Sequence, residues 1–181
     1  MATEIHRLFF AAHPDPAVLE AIGKAATGLR DAKLIRGRWT QSAKYHMTLR
    51  FLGDFREDAM EVIARARAAA ELLRPEPFEI VLDRVTTFRG RFQSPCVLRC
   101  APAAEPAVRT VWDGLGEALA KAGVDYRIDN RFIPHLTIAY GDRMLTEPIA
   151  IEPIAWRVEE FTLIDSHRSH YDVQARWPLS R

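Results

Sequence analysis

Two stretches of this sequence pair an imidazole with a hydroxyl two positions later: Tyr45-His46-Met47-Thr48-Leu49-Arg50-Phe51 and Pro134-His135-Leu136-Thr137-Ile138-Ala139-Tyr140. Both lie in runs rich in β-forming residues, and in a strand residues i and i+2 share a face. His46 and Thr48 then point one way while Met47 and Leu49 enter a core. His135 and Thr137 do the same against Leu136 and Ile138. By the same alternation Arg50 falls on the His46 face. Histidine can give or take a proton near neutral pH, and a threonine hydroxyl can donate a hydrogen bond. Two such pairs facing each other across a cleft would form a site with two proton-transfer groups and two hydroxyl donors. Six His and ten Thr among 181 residues place about 0.3 such pairs by chance, so a second copy is the informative one.

The elements that must position these pairs follow from local signals. Leu8 to Ala12 reads as a buried strand. Asp15 then reads as a helix N-cap and Pro16 as the first helical residue. Val18, Leu19, Ile22, Ala26 and Leu29 recur at helical spacing. A polar connector from Arg30 to Lys44 leads into the first motif strand, which ends at Gly53-Asp54. Glu57 and Asp58 suit the start of a second helix with Met60, Ile63, Ala66, Ala70 and Leu73 buried, stopped by Pro75. Phe78 to Phe88 and Cys96 to Cys100 read as strands. Glu105-Pro106 opens a third helix with Val108, Val111, Trp112, Leu115 and Leu119 on one side, and Gly123 is suited to its C-terminal cap. A loop with Tyr126, Arg127, Asn130 and Arg131 precedes the second motif. Ile149 to Ile154, Arg157 to Asp165 and Tyr171 to Trp177 are further β-like runs, with a turn at Ser166-His167-Arg168-Ser169.

These elements repeat. Strand, helix start, helix, polar loop and His-x-Thr strand occur first from Leu8 and again from Val97. Pro16 precedes His46 by 30 positions, and Pro106 precedes His135 by 29. The repeat predicts two halves related by a pseudo-two-fold axis, which would turn the motif strands toward each other.

Composition sets the outer bounds. The chain is 48% hydrophobic and 27% charged, a globular balance, and 181 residues suffice for one domain. No apolar run is long enough to cross a bilayer, and Met1-Ala2-Thr3-Glu4 lacks the pattern of a secretory signal. With only Cys96 and Cys100 no disulfide framework is expected, and both thiols are expected in the core. A cytoplasmic, monomeric protein is the expectation. A net charge of +1 argues against a broad footprint on duplex nucleic acid, yet allows a local cationic pocket for a short phosphorylated end.

The paired motifs on a duplicated frame resemble the 2H phosphoesterases, and most closely the RNA 2′,3′-cyclic phosphodiesterase or 2′-5′ RNA ligase (LigT-like) branch. Arg7-Leu8-Phe9-Phe10-Ala11 with Pro14-Asp15-Pro16 is similar to the family's opening. His46 to Gly53 resembles its first motif, Phe132 to Ala139 its second, and Tyr171 to Leu179 its final strand. The resemblance implies an α+β fold over residues 1–181: a single bilobal domain of duplicated antiparallel-sheet lobes, with outer helices around a central cleft. It also implies metal-independent opening of 2′,3′-cyclic phosphates on RNA ends or nucleotides. His46 would be the proton donor to the 3′ oxygen and His135 the proton acceptor from water, leaving a 2′-phosphate. Thr48 and Thr137 would hold the non-bridging oxygens, Arg50 would counter charge on them, and no cofactor is implied. The chain departs from many family members at Tyr140, where they carry Arg or Lys, and strand parity points Tyr140 away from His135.

Phe51, Trp39, Tyr126 and Tyr140 are aromatic residues in or near the motif strands and loops, for each of which a core role is the first reading and stacking on a base the second; Arg89 and Arg91 flank a loop glycine, where they could approach a phosphate or simply be solvated. Phe51 and Tyr140 are taken with Arg50 as the substrate-binding set. His167 and His170 have metal-ligand spacing but no obvious third ligand, so no metal is expected. His6 and His13 read as exposed or capping groups. Two alternatives remain: 2′-5′ ligation or cleavage, or a small cyclic nucleotide as substrate, at the same site; and an RNA-end-binding module with incidental catalysis.

Overall fold

The structure is a computed structural model that describes residues 4–128, 131–168 and 170–180. Met1, Ala2, Thr3, Asn130 and Ser169, which enter the sequence reading above, lie outside the described residues. Among the described residues, nine strands and three α-helices follow in the order β1 His6–Ala12, α1 Pro16–Asp31, β2 Gly37–Trp39, β3 Met47–Phe55, α2 Ala59–Ala70, β4 Phe78–Thr87, β5 Ser94–Cys100, α3 Glu105–Lys121, β6 His135–Gly141, β7 Ile149–Val158, β8 Glu160–His167 and β9 His170–Pro178. The fold is α+β, and every strand pair is antiparallel.

Local chemistry explains the element boundaries. Asp15 Oδ1 accepts from the Val18 N–H at 2.9 Å, and Pro16 supplies the preset φ of the first turn. α1 then buries Val18, Ile22, Ala26 and Leu29. In α2 the buried residues are Ala59, Val62, Ile63, Ala66, Ala69 and Ala70, and Met60 is 71% exposed because the helical period carries it off that stripe. Gly123 takes a left-handed φ of +66° just past the end of α3, as a helix-ending glycine should. The connector after α1 is not uniformly irregular: its residues Gly37–Trp39 form β2, which pairs with β6.

The duplicated halves are present, but fused into one sheet. Strand order is β7-β4-β5-β6-β3-β1-β8-β9, with β2 beside β6. The middle of that order is its narrowest join, because β3 and β6 meet at one bridge, Met47 to Leu136. On either side the registers repeat. Ala12, Ala11, Phe10 and Phe9 of β1 face Met47, Thr48, Arg50 and Phe51. Leu98, Val97, Cys96 and Pro95 of β5 face Leu136, Thr137, Ala139 and Tyr140. Each motif strand therefore carries a one-residue bulge directly after its threonine, at Leu49 and at Ile138.

The helices cross between halves. α1 packs on β7, α3 on β3 and β4, and α2 on α3 and β9. The core beneath them includes Leu8, Phe10, Met47, Leu49, Leu98, Leu136, Ile138 and Trp156, and both Cys96 and Cys100 are buried free thiols within it. Among the described residues no helix is long and apolar enough to cross a membrane.

Because Leu136 is fully buried at the join, Leu136→Ala is expected to cost about 2–5 kcal/mol of unfolding free energy, read as a lower urea midpoint. A loss under about 1 kcal/mol would show that the join is not tightly packed.

Candidate active site

The bridge fixes how the two motifs meet. Met47 and Leu136 are the middle residues of the two His-x-Thr triplets, both fully buried. Continuing the antiparallel register by one residue sets His46 across from Thr137, and Thr48 across from His135. All four side chains lie on the face opposite Met47 and Leu136, and all four line one cavity of about 510 Å³. The two histidines are then diagonal neighbours across a strand pair, a relation that separates Cα atoms by roughly 7–8 Å. That spacing leaves room for one tetrahedral group between the rings.

Each imidazole is held the same way. His46 Nδ1–H donates to the Lys44 carbonyl at 2.8 Å, and His135 Nδ1–H to the Ile133 carbonyl at 2.7 Å. A carbonyl only accepts, so each Nδ1 keeps its proton and Nε2 is the atom that titrates. The rings are also packed in place. Phe9 stacks on His46 at 5.0 Å and Tyr171 meets it edge-on at 5.5 Å, while Phe88 meets His135 edge-on at 4.9 Å.

Burial pushes the His46 pKa down to about 4, and the neighbouring charges of His13 and His135 act in the same direction against the Lys44 hydrogen bond. Burial also lowers His135, opposed by the Ile133 hydrogen bond and aided by Arg99, its cross-strand partner on β5. With no ligand bound, both rings are therefore neutral at pH 7. The remainder of the wall favours an anion. Arg7, Lys44, Arg50, Arg127 and Arg131 line the cavity, together with Phe9, Phe51, Phe88, Trp112, Phe132, Tyr140 and Tyr171. Among the described residues no carboxylate or thiol lines the cavity.

The bulges revise the side-chain directions expected from simple alternation. Past Leu49, Arg50 pairs with core residue Phe10 and is itself 7% exposed. Its guanidinium lies 3.7 Å over the Trp112 ring and 5.3 Å from Tyr126, in the cavity floor rather than on the His46 face. A Cβ on Gly116 would collide with that guanidinium, which gives this helix glycine its reason. The same bulges return Phe51 and Tyr140 to the cavity wall, so Tyr140 does not point away from the site.

Trp39 and Tyr126 take the core role rather than the stacking one: both pack against the core, and Tyr126 Oη donates to the Gly116 carbonyl. Arg89 and Arg91 take the solvated reading, exposed and outside the lining. Expectations for the two N-terminal histidines are corrected. His13 is neither exposed nor a cap. It contacts Thr162 Oγ1 at 3.0 Å, and its ring lies 6.2 Å from that of His46. His6 is drawn to Asp165 at 2.7 Å. Lys44, Phe88, Trp112, Phe132 and Tyr171 were not foreseen as wall residues. The repeat held a partial signal for Lys44, which ends the loop leading into the first motif, as Arg127 and Arg131 occupy the loop leading into the second.

The family model for the 2′-5′ RNA ligase superfamily matches residues 14–170. The chain belongs to this superfamily, that of the 2H phosphoesterases. Among curated proteins, an RNA 2′,3′-cyclic phosphodiesterase of Geobacillus stearothermophilus is 32% identical over 102 residues, which are 56% of this chain and 31% of that protein. The matched region is thus under a third of the length of that relative. Among solved structures, a phosphoesterase superposes with a TM-score of 0.76 at 23% identity, covering 97% of this chain and 99% of its own. E. coli LigT in apo form gives a TM-score of 0.75 at 23% identity, covering 99% and 100%. This 2H phosphoesterase shares their fold.

Side-chain titration by NMR should find His46 near its depressed value of about 4 and His135 below the ordinary histidine range, both as Nδ1–H tautomers when neutral. Normal titration of both rings would contradict the burial argument.

Proposed function

We propose that this protein hydrolyses 2′,3′-cyclic phosphates, on RNA ends or nucleotides, to 2′-phosphates by a metal-independent two-histidine mechanism. The observation that carries the reading is the diagonal pair of carbonyl-anchored imidazoles flanked by two threonines in one cationic cavity. The phosphodiester would lie between the rings. His135 Nε2 accepts a proton from water as the water oxygen bonds to phosphorus, and the bond from phosphorus to O3′ breaks. His46 Nε2 donates its proton to O3′, so one proton enters the pair and one leaves it. The donor and acceptor roles follow the family pattern; because His46 is the more strongly depressed ring, the reactive form with the proton on His46 Nε2 is the less populated of the two singly protonated forms.

Thr48 and Thr137 offer hydroxyls to the non-bridging oxygens from opposite sides, which positions phosphorus for in-line attack. Arg50, fixed on Trp112, contributes positive charge from the floor. Phe51 and Tyr140, matched positions of the two repeats, offer flat surfaces for a base or ribose. E. coli LigT has been solved in complexes with 3′-AMP and with ATP. The cavity here is of a size that holds a mononucleotide-sized ligand, which favours a small end over a long RNA track.

His46→Ala and His135→Ala should each lower turnover of a 2′,3′-cyclic nucleotide by about 10²–10⁴-fold, followed by phosphorus NMR, and chelator should leave the wild-type rate unchanged. Binding retained with no turnover in the wild type would favour an end-binding module. The pH dependence has a defined sign. The free protein carries the single required proton only between the two depressed pKa values, so kcat/KM should peak on the acid side of about 6.5. A bound phosphodiester anion raises both values, so the kcat profile should lie at higher pH. Coincident profiles would count against two buried, ligand-charged imidazoles.

A further inference from the structure

On the other face of the first half, β1 and β8 bring together three residues that the cavity does not use. His6 Nδ1 lies 2.7 Å from Asp165 Oδ2, and His167 Nδ1 lies 3.5 Å from the same oxygen. One donor atom from each of the three residues falls within 4.8 Å of the others. Their neighbours Arg7 and Ser166, paired across β1 and β8, line the cavity, so strand alternation turns His6, Asp165 and His167 away from His46 and His135.

We propose that His6, Asp165 and His167 bind a zinc-class divalent ion that clamps β1 to β8. The donor set fits such an ion. Two imidazoles and one carboxylate suit a borderline d-block cation better than calcium or magnesium, which prefer all-oxygen shells. Bonds of about 2.0–2.1 Å in a tetrahedron place ligand atoms roughly 3.3–3.4 Å apart, close to the His167 spacing and reachable by a small opening at His6. Asp165 is 3% exposed, and its Oδ1 has no hydrogen-bond partner among the described residues; nor has the buried Nδ1 of His167. Unpaired buried polar atoms carry a desolvation cost that a shared cation removes. The second shell is present too. His167 Nε2 lies 3.4 Å from Asp172 Oδ2 on β9, the carboxylate support that orients a ligating imidazole through its other nitrogen.

The ion has a structural role. It ties residues that are 159 positions apart in sequence and stiffens the strand pair behind Arg7 and Ser166. It stands independently of the proposed hydrolysis, which involves the opposite face of the sheet.

The test uses full-length protein stripped of metal. Zn²⁺ should raise its melting temperature, by about 5–10 °C at a free concentration 100-fold above Kd. Co²⁺ in its place should give the visible absorption of a four-coordinate site, saturating at one ion per chain. His6→Gln and Asp165→Asn should abolish both responses, whereas His170→Ala should retain them. If Asp165→Asn fails to fold, His6→Gln and the wild-type Co²⁺ titration carry the comparison. No saturable response in the wild type, or an undiminished one in folded His6→Gln, overturns the proposal. Loss of the response in His170→Ala overturns the donor set.

Discussion

A single backbone bridge, Met47 to Leu136, is the constraint on which the rest of this molecule depends. It joins two antiparallel half-sheets at the middle residue of each His-x-Thr triplet. Burying those two residues forces the imidazoles and hydroxyls onto the opposite face. The antiparallel register then places histidine across from threonine twice. Had the strands met one residue out of register, one motif would have turned into the core and the site would be lost.

Beyond the bridge the strands part, and what fills the gap sets the character of the cavity. Arg50 on Trp112 closes the floor, the stack of Trp112 and Phe132 at 5.2 Å forms one wall, and Gly116 leaves room for the guanidinium. The loop before β6 and the β2 segment beside it cover the two open edges: Arg127 N–H bonds the Leu52 carbonyl, and Thr40 N–H the Ile138 carbonyl. Among the described residues, five cationic side chains and no carboxylate then face the same volume as two imidazoles whose burial disfavours their charged forms. An anion relieves both tensions at once, by pairing with the cations and by stabilising a proton on a ring.

The sequence made the motifs, the three helices and most strands legible, because hydrophobic period and capping residues are local signals. It also exposed the duplication, and with it the facing of the two motifs. Alternation failed at Arg50, Phe51 and Tyr140 for one reason: a bulge after each threonine flips the parity of everything downstream. A bulge is a property of a strand and its neighbour together, and nothing in Leu49 or Ile138 alone announces it. His6 and His13 were misplaced for a related reason, since their partners Asp165 and Thr162 lie across the fold in β8.

What the sequence determined by itself was the chemistry available: two imidazole–hydroxyl pairs, two similar frames to carry them, and a basic loop ahead of the second. Those are statements about residue type and spacing, and they survive any packing that keeps the strands. Only the tertiary structure decided the partners. It joined the two half-sheets through one bridge, sent Arg50 into the floor and Tyr140 to the wall, and gathered His6, Asp165 and His167 on the far face. Such choices arise from contacts between residues distant in the chain, whose free energies exist only after the strands have paired.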